Sequence, residues 1–234
     1  MNASRMWFGA AVALLAGCAG APGARAQLPP AQRLPAGQTG ASADTLDANY
    51  VPAGFGALGQ DDIALKVAPT SGLQVRAIPT DERMIRLLSP DSYRAVRRFV
   101  DSKQTELNAV KDRNRLPSYS VWYVSFFALE QGETRFSPQE FVITNTGRDF
   151  RPIDVLPLSS GFGEYRLRQR EVAHALFVFD GQIDLNQPTS AMMEGTASVT
   201  DWARVLQMVE RERALVRSRA AASPKKPASP ASVR

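Results

Sequence analysis

Ser120-Val121-Trp122-Tyr123-Val124-Ser125-Phe126-Phe127-Ala128-Leu129 is the stretch that decides how the chain is read. Its aromatic and β-branched residues favour an extended strand. In such a strand alternate side chains point to opposite faces. Val121, Tyr123, Ser125, Phe127 and Leu129 share one face, and Trp122, Val124, Phe126 and Ala128 share the other. Both faces are apolar, so both must be covered. A second stretch repeats the pattern. Val172, His174, Leu176 and Val178 face one way, and Ala173, Ala175, Phe177 and Phe179 face the other. Two packed sheets cover only inner faces, so a helix is expected outside one of them.

The flanking sequence supplies the rest of the fold. Ile63, Leu65 and Val67, then Leu73, Val75 and Ala77, alternate around the turn Ser71-Gly72, which predicts two successive strands. Met84–Leu88, apolar except for Arg86, predicts a third strand. Ser89-Pro90-Asp91 then starts a helix, with Ser89 as cap and Pro90 at the first helical position. Its apolar stripe is Tyr93, Val96, Val100, Leu107 and Val110. The stem of Lys103 fills the gap in that stripe. This one long helix is expected to stop near Asn114, ahead of Pro117. Phe141–Thr144 and Arg148–Leu156 read as strands joined by the turn Asn145-Thr146-Gly147, and Gly161-Phe162-Gly163 as a loop. Thr200 caps a final helix that presents Trp202, Val205, Leu206, Val209 and Val216 on one face.

The run Tyr123–Leu129, then Phe136-Ser137-Pro138-Gln139-Glu140-Phe141, then Asn145–Pro152 is similar to secreted bacterial immunoglobulin-like domains of the immunoprotective-extracellular-antigen type. Ala175–Phe179 matches a later apolar strand of that family. The resemblance covers about 60 residues; the helix from Ser89 and the C-terminal helix depart from it. It implies a binding or accessory role. The expected fold is therefore mainly β: an immunoglobulin-like β-sandwich over residues 61–219, with one long helix before the central strands and a C-terminal helix.

The ends of the chain carry different information. Trp7–Leu15 is an apolar run behind the single charge of Arg5, with the length of a secretory leader and too short to span a bilayer. Leu15-Ala16-Gly17-Cys18 follows it and holds the only cysteine of the chain. These four residues resemble the lipobox of bacterial lipoproteins. The resemblance implies cleavage between Gly17 and Cys18 and attachment of a diacylglycerol to the Cys18 sulfur. A second small-residue site, Ala24-Arg25-Ala26, offers the alternative of a soluble secreted chain cut near Ala26. Residues 18–60 are rich in Ala, Gly, Pro, Ser and Gln and read as a flexible tether. Residues 220–234 read as a disordered basic tail. The formal charge of the whole chain is +5. Residues 210–234 alone carry seven basic and two acidic residues, so the basicity belongs to one end. That end reads as a solubilising extension, with contact to anionic lipid or cell-wall polymer as the alternative. Nucleic-acid binding has no motif behind it.

Reactive chemistry has few candidates. One cysteine excludes an intrachain disulfide and a cysteine-based zinc site. His174 is the only histidine; within an apolar strand it reads as a packed, hydrogen-bonded core residue. No Gly-x-Ser-x-Gly elbow, P-loop, dinucleotide fingerprint or HExxH motif is present. Asp180, Asp184 and Asn186 lack EF-hand spacing and read as a turn rather than a calcium loop. Asp61-Asp62 and Asp81-Glu82 are adjacent carboxylates whose side chains diverge. Met192, Met193 and Phe162 read as a contact surface or as packing. The expectation is a monomeric, membrane-anchored envelope protein, held by lipid on Cys18, with a non-catalytic binding or scaffold domain. It needs no cofactor or metal, and its partner is an envelope protein or the cell wall. The alternative is an envelope hydrolase.

Overall fold

A computed structural model describes residues 54–69 and 71–222. The leader, Gly17, Cys18, the site near Ala26, most of the tether and residues 223–234 lie outside the described residues. Among the described residues no helix is long and apolar enough to cross a membrane.

The fold is mainly β, with antiparallel sheets and a C-terminal helix, an arrangement compatible with a β-sandwich. The larger sheet holds β1 (Leu65–Val67), β2 (Leu73–Pro79), β3 (Tyr119–Ala128), β9 (Val172–Asp180) and β7 (Pro152–Pro157), paired in that order. The stretch that opened the sequence analysis is β3, at its centre. It pairs with β2 on one side and β9 on the other, with Trp122 opposite Phe177 and Ser125 opposite His174. A second sheet runs β11 (Thr196–Ala197), β10 (Thr189–Met193), β5 (Val142–Asn145) and β6 (Arg148–Phe150). A separate ribbon joins β4 (Glu133–Arg135) to β8 (Arg166–Arg168).

The core lies against the inner face of the larger sheet. Trp122, Val124, Phe126, Ala175, Phe177 and Phe179 are all buried there. Phe177 meets Phe141 edge-on at 5.6 Å, and Phe126 stacks on Phe136 at 4.5 Å. Such pairs add to the transfer of apolar area from water. On the outer face, α2 (Pro90–Ser102) lays Phe99 flat on Tyr123, centroids 5.0 Å apart. The expected outer helix is thus where the two-faced apolar pattern required it. The hairpin turn also follows the sequence. Asn145 pairs with Arg148, and both intervening residues, Thr146 and Gly147, have positive φ, 51° and 75°. Two such residues match the right-handed twist of the flanking strands.

Four expectations are corrected. Met84–Leu88 is not a strand. Residues Glu82–Ile85 form a short helix, α1, started by Asp81, whose Oδ1 accepts from the Arg83 N–H at 2.8 Å. Four apolar residues around Arg86 are too short a run to resolve a period, so the cap decides. The long helix is two helices, α2 and α3 (Gln104–Arg113), broken at Lys103 with φ −114° and ψ 12°. Ser102 Oγ donates back to the Phe99 carbonyl at 2.8 Å, and Leu107 N–H restarts the ladder on Lys103 at 2.8 Å. Pro90 sits at the first helical position as expected, while the Ser89 side chain makes no capping bond.

Arg148–Leu156 divides at Arg151, so that β6 stays in one sheet and β7 joins the other. The last helix, α4 (Trp202–Ala222), is capped by Asp201, not Thr200. The Thr200 hydroxyl is held by β1: it accepts from Lys66 N–H at 2.9 Å and donates to the Ala64 carbonyl at 3.1 Å.

Ordered backbone contacts are also made on either side of residues 61–219. Gly56 N–H donates to the Arg86 carbonyl at 3.0 Å, and Leu58 bridges Leu88. Gly56 is needed there, because a Cβ would sit 1.9 Å from the Leu87 carbonyl oxygen. At the other end α4 runs through Ala222.

Candidate functional site

His174 sits on the outer face where helical cover ends. Its ring centroid is 5.8 Å from Phe99 and 6.0 Å from Tyr123. Its backbone is fully used: the N–H donates to Ser159 Oγ at 3.1 Å, and the carbonyl accepts from Leu158 and Ser159. The side chain departs from the expected hydrogen-bonded core residue. Nδ1 is buried and makes no hydrogen bond within the described residues. Burial lowers the imidazole pKa below its ordinary value, because the charged form is poorly solvated there. Packing against two aromatic rings is the dominant interaction of this side chain.

The carboxylates are kept apart by their duties. Asp61 pairs with Arg76 at 2.6 Å and with Lys66 at 3.5 Å. The Arg76 hydrogen bond holds its pKa below the usual carboxylate value. Asp62 instead accepts from Gly59 N–H at 2.7 Å. Asp81 caps α1, while Glu82 accepts from Tyr93 OH at 2.8 Å and Arg86 at 2.8 Å. Burial, reinforced by Glu82, raises the Tyr93 pKa. Both adjacent pairs diverge as their spacing predicts.

The loop after β9 is a structural turn. Asp184 Oδ1 accepts from Asn186 N–H at 3.0 Å. Among the described residues no three metal-ligating side chains converge. The residue that organises this loop escaped the sequence reading. Asn145, 2% exposed, donates to the Asp184 carbonyl at 2.9 Å and to Thr189 Oγ1 at 2.8 Å, and accepts from Asp184 N–H at 3.1 Å. Only its place in an Asn-x-Gly turn signalled it. Met193 and Phe162 are buried, so the packing reading holds for them and the contact-surface reading does not.

Two grooves remain. One, of about 430 Å³, follows the seam between the helices and the start of β3. Val100, Leu107, Val121 and Ile183 give it an apolar floor, and Gln104 and Lys111 stand at its rim. Two of its hydroxyls, on Thr80 and Ser120, are committed to the fold. Thr80 Oγ1 donates to the Val121 carbonyl at 2.8 Å, and Ser120 Oγ donates to Gly181 and accepts from Ile183 N–H. This groove offers contact area, with Asp81, Ser118, Tyr119 and Gln182 as further polar lining groups.

The second groove, of about 540 Å³, lies beside the β4–β8 ribbon. Its carboxylates alternate with arginines: Arg166 lies 3.7 Å from Glu133 and 3.4 Å from Glu164, and Glu171 accepts from Arg168 N–H at 2.8 Å. Neither groove was legible beforehand, since each draws on segments far apart in the chain. No protein family, curated protein or solved structure matches this chain.

Proposed function

We propose that this chain is a lipid-anchored protein of the bacterial cell envelope, tethered through Cys18, with an immunoglobulin-like domain that binds a partner and performs no catalysis. The partner is an envelope protein or a cell-wall polymer, and the protein works as a monomer. The observation that carries the binding role is the seam groove. Its floor is apolar and it is walled by the helices, the start of β3 and the loop after β9, which gives it recognition area. The leader supports the location, because its apolar run ends directly on Cys18.

Two experiments test this reading. Cys18→Ala should abolish palmitate labelling and release of a lipidated mature form; a variant that is still labelled would show that the anchor is elsewhere. A photo-crosslinking residue at Gln104, exposed on the groove rim, should capture one envelope component in cells. The same residue at the exposed Arg98 should not. Equal capture at both positions would remove the groove from the binding role.

A further inference from the structure

We infer that the outward stripe of α4 is a second, electrostatic contact with an anionic lipid surface. Arg204, Met208, Arg211 and Leu215 fall at i, i+4, i+7 and i+11, which places them in one line along the helix beside its buried face. Both arginines are exposed, Met208 is half-buried, and Leu215 is 53% exposed. The acids of α4 are committed elsewhere. Glu210 pairs with Arg213 at 2.5 Å. Glu212 pairs with Arg219 at 2.6 Å and accepts from Ala57 N–H at 3.0 Å. Asp201, just ahead of the helix, accepts from Ala203 N–H at 3.1 Å as its cap. The guanidinium groups of Arg204 and Arg211 have no acidic partner among the described residues. The stripe is therefore cationic, with apolar side chains between the charges.

That composition matches the boundary between headgroup and acyl chain. Phosphates take the guanidinium groups, and a protruding leucine enters the apolar layer. The sequence strengthens the match: beyond α4 it contains Lys225, Lys226 and Arg234 and no acidic residue. A bilayer is near if the envelope reading is right, and in that respect the inference rests on it. The charge argument does not use Cys18.

The test uses the full chain carrying Cys18→Ala and Leu215→Cys, labelled on the new thiol with a polarity-sensitive nitrobenzoxadiazole dye. Vesicles of phosphatidylcholine with phosphatidylglycerol should shift its emission to the blue, and added salt should reverse the shift. Phosphatidylcholine alone should leave it unchanged. Arg204→Gln with Arg211→Gln should weaken the apparent affinity by about tenfold or more. A dye at exposed Gln74, placed by Gln74→Cys, should not respond. Equal shifts on neutral vesicles, or an undiminished shift in the double variant, would overturn the inference. So would an equal response to soluble poly-glutamate, which would assign the stripe to an acidic polymer. Vesicle binding with no shift at position 215 would overturn the stripe and leave the anchor standing. Persistent palmitate labelling of the Cys18→Ala chain would do the reverse.

Discussion

The inner and outer faces of the five-stranded sheet begin from the same kind of sequence and end in different states. On β9 the inner residues Ala173, Ala175, Phe177 and Phe179 are all 1% exposed or less. The outer residues grade along the strand: Val178 and Leu176 are fully buried, His174 partly so, and Val172 is 48% exposed. The inner face is sealed by interlocked aromatic rings: Phe136, Phe141 and Phe162 from the loops and Trp202 from α4 meet those of β3 and β9. The outer face is sealed only as far as the helices reach. Alternation in sequence therefore specifies that a face wants cover. How far the cover extends is set by the length and docking of whatever lies on top.

The largest effect should come from the inner face. Phe177→Ala removes a ring that touches both Phe126 and Phe141 and should destabilise the domain by about 3–5 kcal/mol. Urea denaturation would measure this; a loss below about 1 kcal/mol would mean that the two faces are energetically alike. Phe99→Ala strips the outer cover from Tyr123 and His174 but removes a half-exposed ring. The expected loss is about 2 kcal/mol. Hydrogen exchange should show the faster opening confined to α2 and α3.

His174→Leu sharpens the comparison at the border between covered and open strand. It removes a buried nitrogen without a hydrogen bond, so stability at neutral pH should hold or rise by about 1 kcal/mol. The pH dependence gives a second reading. The folded imidazole has a lowered pKa, so below about pH 6.5 the unfolded chain binds the proton that the folded chain refuses. Stability should therefore be complete above that pH and decline as pH falls through it towards the folded pKa. The decline should vanish in the variant. Arg76 lies on the same face, across Ser125, and its charge is paired with Asp61 at 2.6 Å. Last, Val172→Thr changes an exposed position beyond the helices and should shift stability by no more than about 0.5 kcal/mol. A larger loss would show that the open end is covered by something in solution.

The central strands were legible because two-sided alternation admits one reading. The same holds for the Pro90 helix start and the Asn145-Thr146-Gly147 hairpin, where backbone preference is local. What escaped depended on distant partners. Met84–Leu88, with four apolar residues around Arg86, suits either conformation, and the cap at Asp81 settles it. Thr200 and Asp201 are adjacent good caps; β1 takes the threonine hydroxyl and leaves the aspartate to the helix. The break at Lys103 falls where helical periodicity continues in sequence, so counting apolar positions passes over it. The seam groove assembles residues 79–81, 100–122 and 182–185, a juxtaposition that exists only after folding.

The attachment of residues 56–58 has a mechanical consequence. Tension on the chain before Gly54 would enter the domain at the parallel bridge between Leu58 and Leu88. Three backbone bonds share that load, Gly56 to Arg86, Leu58 to Leu87 and Ser89 to Leu58, with Ala57 strapped to Glu212 on α4. Pulling along such a bridge loads its bonds together in shear instead of peeling them singly. The strap also diverts part of the force into the C-terminal helix, away from β3 and β9. Under tension the junction therefore gives way as one unit, not bond by bond.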